Sequence, residues 1–148
     1  MFAGSLVRPI GGGLADRIGG IRALSIMYMV AALALAVVSI RLPQAWMALS
    51  VFIVGMLALG MGNGSVFQLV PQRFRREIGV MTGLVGMTGG IGGFYLASSL
   101  GFSKQLTGSY QPGFLIFVVL AVLALIGLTR IKSRWRTTWG STLGMARI

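Results

Sequence analysis

IRALSIMYMVAALALAVVSI, residues 21–40, holds a single charged residue, Arg22, near its start. A bilayer core about 30 Å thick needs about 20 consecutive apolar helical residues. The run meets that length and reads as a transmembrane helix. Working outward, three further runs have the same character: residues 46–70, 79–100 and 113–128. The last is short on apolar residues alone. It extends to residue 130, because Arg130 can lay its methylenes in the apolar layer and its charge among the headgroups. On the N-terminal side, residues 1–15 are also apolar but too few to cross. They make a poor signal peptide, since no basic region precedes them and Arg8 and Pro9 interrupt them. Of the 148 residues, 55% are hydrophobic and 10% charged, whereas a soluble domain carries about 25% charged residues. The mean hydropathy of +0.87 agrees. The fold class is all-α, a polytopic membrane helical bundle.

Composition also excludes functions. Cysteine is absent, which removes disulfides, thiolate metal sites and a cysteine nucleophile. Histidine is absent too, and with it the commonest general base and metal ligand. Asp16 and Glu77 are the only carboxylate side chains. An enzyme active site, a metal and a cofactor are therefore not expected. The net charge of +11 raises nucleic acid as a partner. The basic residues flank the apolar runs instead of forming a stripe with interleaved aromatics, so the lipid bilayer is the expected partner and nucleic acid is not.

The same basic residues orient the chain. Arg17 and Arg22 lie in the first connection, Arg73, Arg75 and Arg76 in the third, and Arg130, Lys132, Arg134, Arg136 and Arg147 at the end. The opposite side holds only Arg41 and Lys104. The positive-inside rule places the richer side in the cytoplasm, and the C-terminus with it. Residues 1–130 then form the membrane bundle and residues 131–148 a basic cytoplasmic tail, with Trp135 and Trp139 as interfacial anchors. The first segment reaches the cytoplasmic face near Asp16. Counted back to Met1 it gives about 22 Å of helix, less than the core thickness. Either this segment is tilted and thin or it is truncated, and a truncated first helix is the expectation.

Arg8 is the ionisable residue well inside an apolar segment. It lies about 12 Å from the cytoplasmic boundary at Asp16, near the midplane. A charge at that depth marks a substrate or ion pathway, with a structural ion pair as the other reading. Gly4, Arg8 and Gly11 share one helical face, where small residues let another helix or a ligand approach. Pro9 breaks the hydrogen-bond ladder and can bend the helix.

Glycine is concentrated in the stretch GMGNG, residues 60–64, and in GMTGGIGGFYL, residues 86–96. Gly79, Gly83, Gly86, Gly90 and Gly93 recur at helical spacing, and Gly89 widens the stripe. Two readings stand side by side: close helix packing, or bare backbone exposed around a small substrate. The centre of the stripe lies about 12–18 Å from the cytoplasmic end, the depth of Arg8. Asn63 either hydrogen-bonds across helices or lines the pathway.

These stretches resemble a known family. GGLADRIG, residues 12–19, is similar to the loop motif G-x-L-x-D-R-x-G of major facilitator superfamily transporters. GNGSVFQLVPQRF together with TGLVGMTGGIGGFYL resembles the nitrate/nitrite porter branch, whose glycine-rich signature occurs once in each half. The resemblance is to the C-terminal half, from the eighth helix to the tail. It implies about five helices of a twelve-helix fold, the first of them truncated. It implies alternating-access transport of nitrate or nitrite in a bacterial inner membrane, with the missing N-terminal half-bundle as partner. Arg8, Gly86, Gly89 and Gly90 stand at substrate-binding positions, and Gly12, Asp16, Arg17 and Gly19 at those of the gating loop. No carboxylate or histidine lies within the spans to relay protons; nitrate–nitrite exchange would need none. The alternatives are a carrier of another small anion in the same superfamily, or a non-transporting membrane fragment or partner subunit.

Overall fold

A computed structural model describes residues 2–40 and 43–139, without the side chains of Phe2, Ala3, Arg73, Ile131 and residues 133–139. Arg41, Arg147 and the side chains of Arg134, Trp135, Arg136 and Trp139, given charge or anchor roles above, lie outside the described residues. The elements are α1 (Phe2–Leu6), α2 (Arg8–Ile18), α3 (Gly20–Ser39), α4 (Ala45–Arg73), α5 (Ile78–Thr107) and α6 (Gln111–Trp139). Among the described residues all regular structure is helical. Four helical stretches are long and apolar enough to cross a membrane: Gly20–Ser39, Ala45–Gln72, Ile78–Thr107 and Gln111–Arg130. Each overlaps one of the four apolar runs. The molecule is a multi-pass membrane helical bundle.

The first segment departs from a single helix over residues 1–15. It breaks at Val7 into α1 and α2, and α2 continues to Ile18. Pro9 accounts for the break. It has no N–H to donate, so it is accommodated in the first turn of a new helix and not in the interior of a longer one. Gly19, at φ 95°, then turns the chain into α3. That backbone conformation favours glycine. At the other end α6 runs past Arg130 through Trp139, so the helix enters the basic stretch that composition alone assigned to a tail.

Side-chain contacts fix the helix directions. Ile21 packs on Leu69, and Ala34 lies beside Gly55, so α3 and α4 are antiparallel. Gly4 lies at Met56 and Gly60, and Asp16 meets Gln68, so α1 and α2 run with α4. Phe52 meets Phe114 edge-on at 5.9 Å, and Leu128 packs on the Ile21–Leu69 pair, so α6 also runs with α4. Tyr95 against Phe117 and Leu100 against Gly113 close an antiparallel α5–α6 hairpin. These directions bring Arg17, Arg22, Arg75, Arg76, Arg130 and Lys132 to one end of the bundle. Lys104 is at the opposite end, 4.6 Å from the Tyr110 ring centre.

Burial is uneven. α3 is the hub, with residues from Gly20 to Ser39 buried along one side. α5 has no buried residue over its whole length. Two of its side chains, Val80 and Phe94, are about three-quarters exposed, at 75% and 77%. In a bilayer such side chains lose nothing by facing acyl chains, which are as apolar as they are.

Candidate functional site

The two glycine groups have different neighbours. On α4, a Cβ at Gly60 would collide with the Gly4 carbonyl, and one at Gly64 with the Arg8 carbonyl. A Cβ at Gly11 would collide with the Met61 backbone. Ser65, fully buried, donates its hydroxyl to the Gly11 carbonyl at 3.2 Å and to its own helix at Met61, 3.1 Å. The α1–α2 segment therefore lies backbone to backbone on α4, and Gly4 and Gly11 serve a helix and not a ligand. On α5 the opposite holds. Around Gly79, Gly83, Gly86, Gly89, Gly90, Gly92 and Gly93 an added Cβ would meet nothing within 4 Å. Among the described residues no helix covers the stripe.

Arg8 opens α2. Its backbone is pressed on Gly64 while its side chain is exposed. Gly64 lies about 13 Å along α4 from the basic end at Arg73, at 1.5 Å per residue. The Arg8 backbone is thus carried at mid-height of an apolar bundle, with its side chain exposed.

A cavity of about 340 Å³ lies between α3, α4 and α5, and Gly89 is part of its wall. Asn63 lines it as well and makes no side-chain hydrogen bond among the described residues. The cross-helix hydrogen bond considered for Asn63 is not formed among the described residues. Arg8, Gly86 and Gly90 are not in this wall. The reason is angular. On α4 the residues facing α1 and α2 are Gly60, Met61, Gly64, Ser65 and Gln68. Those facing the cavity are Ala58, Leu59, Gly62, Asn63 and Val66. At 100° per residue these two sets lie on nearly opposite faces of the helix. Likewise Val85, Thr88 and Gly89 face the cavity, while Gly86 and Gly90 lie on the open stripe. The structure therefore separates Arg8 from Gly89, and Gly89 from its glycine neighbours. Tyr28 and Thr88 complete the polar part of the wall. Sequence reasoning passed over both, although Asn63 and Thr88 stand at equal sequence distance on either side of the α4–α5 loop.

Of the loop-motif residues, Asp16, Arg17 and Gly19 lie at the basic end, and Gly12 lies further into the bundle. Gly12 lies beside Gly64. Asp16 accepts a hydrogen bond from Gln68 Nε2 at 2.7 Å, tying α2 to α4. Arg17 occupies the last turn of α2, where a cation complements the helix dipole, and Gly19 makes the turn into α3.

A four-span helical bundle with most of its described basic residues at one end is the architecture of a polytopic membrane protein. Comparison with known proteins agrees. The Major Facilitator Superfamily profile matches residues 1–97, and the chain belongs to that superfamily. It is 31% identical over 133 residues to the "Probable nitrate transporter NarT" of Staphylococcus carnosus, covering 90% of this chain and 34% of that protein. The protein of the same name from Staphylococcus haemolyticus is 33% identical over 130 residues, 88% of this chain and 34% of that protein. The one from Staphylococcus aureus strain MRSA252 is 33% identical over 141 residues, 93% of this chain and 34% of that protein. The chain thus spans about a third of the length of these curated relatives.

Proposed function

We propose that this chain is the C-terminal part of a secondary transporter for nitrate or nitrite that works by alternating access with an N-terminal half-bundle. The observation that carries the reading is the position of Arg8. Its backbone is held at mid-height of the bundle by contact with Gly64, which starts a permanently charged, exposed side chain from that depth, in a chain whose relatives bear a nitrate transporter name. A cation there needs an anionic partner. The planar guanidinium fork suits a planar oxyanion better than an ammonium does. The uncovered glycine face of α5, with Gly86 and Gly90 at its centre, supports the same reading. It leaves bare backbone where a second half-bundle and a small ion could approach closely. Transport in this scheme is a rocking of one half against the other about a midplane site. Gly12, Asp16, Arg17 and Gly19 would belong to the gate on the basic, cytoplasmic side.

The test is uptake of nitrate into proteoliposomes by the chain joined to a segment that supplies the first seven helices. Uptake that requires both parts and falls when Arg8 is replaced supports the reading. Uptake indifferent to Arg8 overturns it.

A further inference from the structure

Two of the four spans carry, at the basic end, an arginine that heads an exposed apolar stripe. On α3, Arg22, Ile26, Met29, Leu33 and Val37 are all exposed. At 100° per residue they fall within an arc of about 80°, one line along the helix. On α6, Ile116, Val119, Leu123, Ile126 and Arg130 are exposed in the same way and share an arc of about the same width. Leu128, on the opposite face of α6, packs on the Ile21–Leu69 pair, so the Arg130 stripe points out of the bundle. Arg22 stands in the first turn of the span Gly20–Ser39, and Arg130 closes the span Gln111–Arg130. Both therefore lie at headgroup depth. Neither makes a hydrogen bond or ion pair among the described residues. No carboxylate stands on α3 or α6. Asp16 is on α2 and holds Gln68, and Glu77 precedes α5.

We propose that the outer faces of α3 and α6 each seat an anionic phospholipid, with its phosphate on Arg22 or Arg130 and an acyl chain along the stripe beneath. The residue types favour lipid over another helix as the occupant. Helix–helix contacts in membranes are rich in small residues, whereas below its arginine each stripe holds only long or branched apolar side chains. α3 and α6 are also the two most apolar of the four spans. Charge selects the headgroup. An uncompensated arginine at the cytoplasmic interface attracts anionic lipid, and its planar fork matches phosphate oxygens. A zwitterionic headgroup brings a cation of its own, which the arginine repels. Arg75 and Arg76 lie at the same end but in the loop between α4 and α5, on neither stripe. The proposal needs the membrane fold alone and is independent of the ion transported.

The test is native mass spectrometry of the full 148-residue chain in a neutral detergent. The chain is titrated with phosphatidylglycerol and, separately, with phosphatidylcholine of the same acyl chains. Adducts of one and then two lipids should form at lower concentration with phosphatidylglycerol. Arg22→Gln and Arg130→Gln should each weaken one of the two tight adducts about fivefold, and the two together should remove the preference at both. Both side chains are exposed, so the variants should keep their helix content, which circular dichroism checks. Arg75→Gln combined with Arg76→Gln removes the same charge from the same end and should leave the tight adducts unchanged. Glycerol 3-phosphate, a headgroup without chains, should not displace the lipid. Equal binding of the two lipids overturns the proposal before any variant is made. So do unchanged adducts in the folded Arg22/Arg130 double variant, an equal loss in the Arg75/Arg76 pair, which would mean diffuse charge, and displacement by glycerol 3-phosphate, which would mean a site for phosphate and not for lipid.

Discussion

The carbonyl oxygen of Arg8 rests on Gly64, so close that a methyl group at position 64 would overlap it. The obstacle is backbone, which cannot rotate aside as a long side chain can. Gly64→Ala should therefore separate α2 from α4 and destabilise the chain by about 1–3 kcal/mol, the cost of overpacking. Gly60→Ala should act likewise through the Gly4 carbonyl. Gly93→Ala, with open space around it, should leave the melting temperature unchanged or slightly raised, since alanine is the better helix former by about 1 kcal/mol. Thermal melts followed by circular dichroism in one detergent decide this. Equal melting of all three variants would mean that the α2–α4 contact does not hold the bundle.

The hydrogen bond from Gln68 to Asp16 makes a second, separable prediction. Its acceptor is a carboxylate, and it joins α2 to α4 at the basic end. Gln68→Glu replaces the donor by a second negative charge at nearly constant shape. It should lower stability at neutral pH by about 1–2 kcal/mol, as expected for loss of a hydrogen bond to a charged group on an exposed edge. Adding Asp16→Asn should restore most of it, since the repulsion is gone and an amide can again donate to the carboxylate. A double-mutant cycle on urea midpoints measures the coupling; zero coupling would show that the pair contributes nothing.

Much of this was legible in residue patterns. Four apolar runs announced four long helices, and Gly19 and Pro9 marked the two breaks near the start. Glycine spacing alone could not tell which stripe is packed. The Gly60–Gly64 pair and the stripe from Gly79 to Gly93 look alike as sequence. One is covered by α1–α2 and the other by none of the described residues, and that difference depends on which helices are neighbours. The same holds for the depth match between Arg8 and Gly89. Depth follows from counting residues, whereas the face each residue occupies depends on how α2 and α5 are arranged around α4. Tyr28, Asn63 and Thr88 each read as an isolated polar residue in an apolar run. Only antiparallel pairing puts them in one layer.

Helix direction turns the basic asymmetry into a topology prediction. Arg17, Arg22, Arg75, Arg76, Arg130 and Lys132 occupy one end, and Lys104 the other. Reporter fusions at Arg76 and after Trp139 should read cytoplasmic, and one within residues 104–108 periplasmic. A periplasmic signal after Trp139 would invert the bundle and put Asp16 and Arg17 on the outer side.

The sharpest test of the proposed Arg8 site uses the smallest chemical change, in the chain joined to the proposed N-terminal half-bundle. Arg8→Lys keeps the charge and most of the length. It gives up the planar fork that can offer two parallel N–H groups to one oxyanion. Losing a charge-assisted hydrogen bond is worth about 1.5–3 kcal/mol, or roughly a ten- to hundredfold loss of apparent nitrate affinity. Because the Gly64 contact is made by the Arg8 carbonyl and not by its side chain, the variant should fold and reach the membrane normally. Gly90→Leu offers the contrasting failure. It removes no attraction but fills the open face of α5, so it should abolish transport while the isolated 148-residue chain, where that face has no neighbour, melts unchanged. Nitrate transport by Arg8→Lys with unchanged affinity would show that the guanidinium is no ligand of the ion. The exposed charge at mid-height would then have to be matched by a group on the N-terminal half, and a carboxylate there, not the anion, would be its partner.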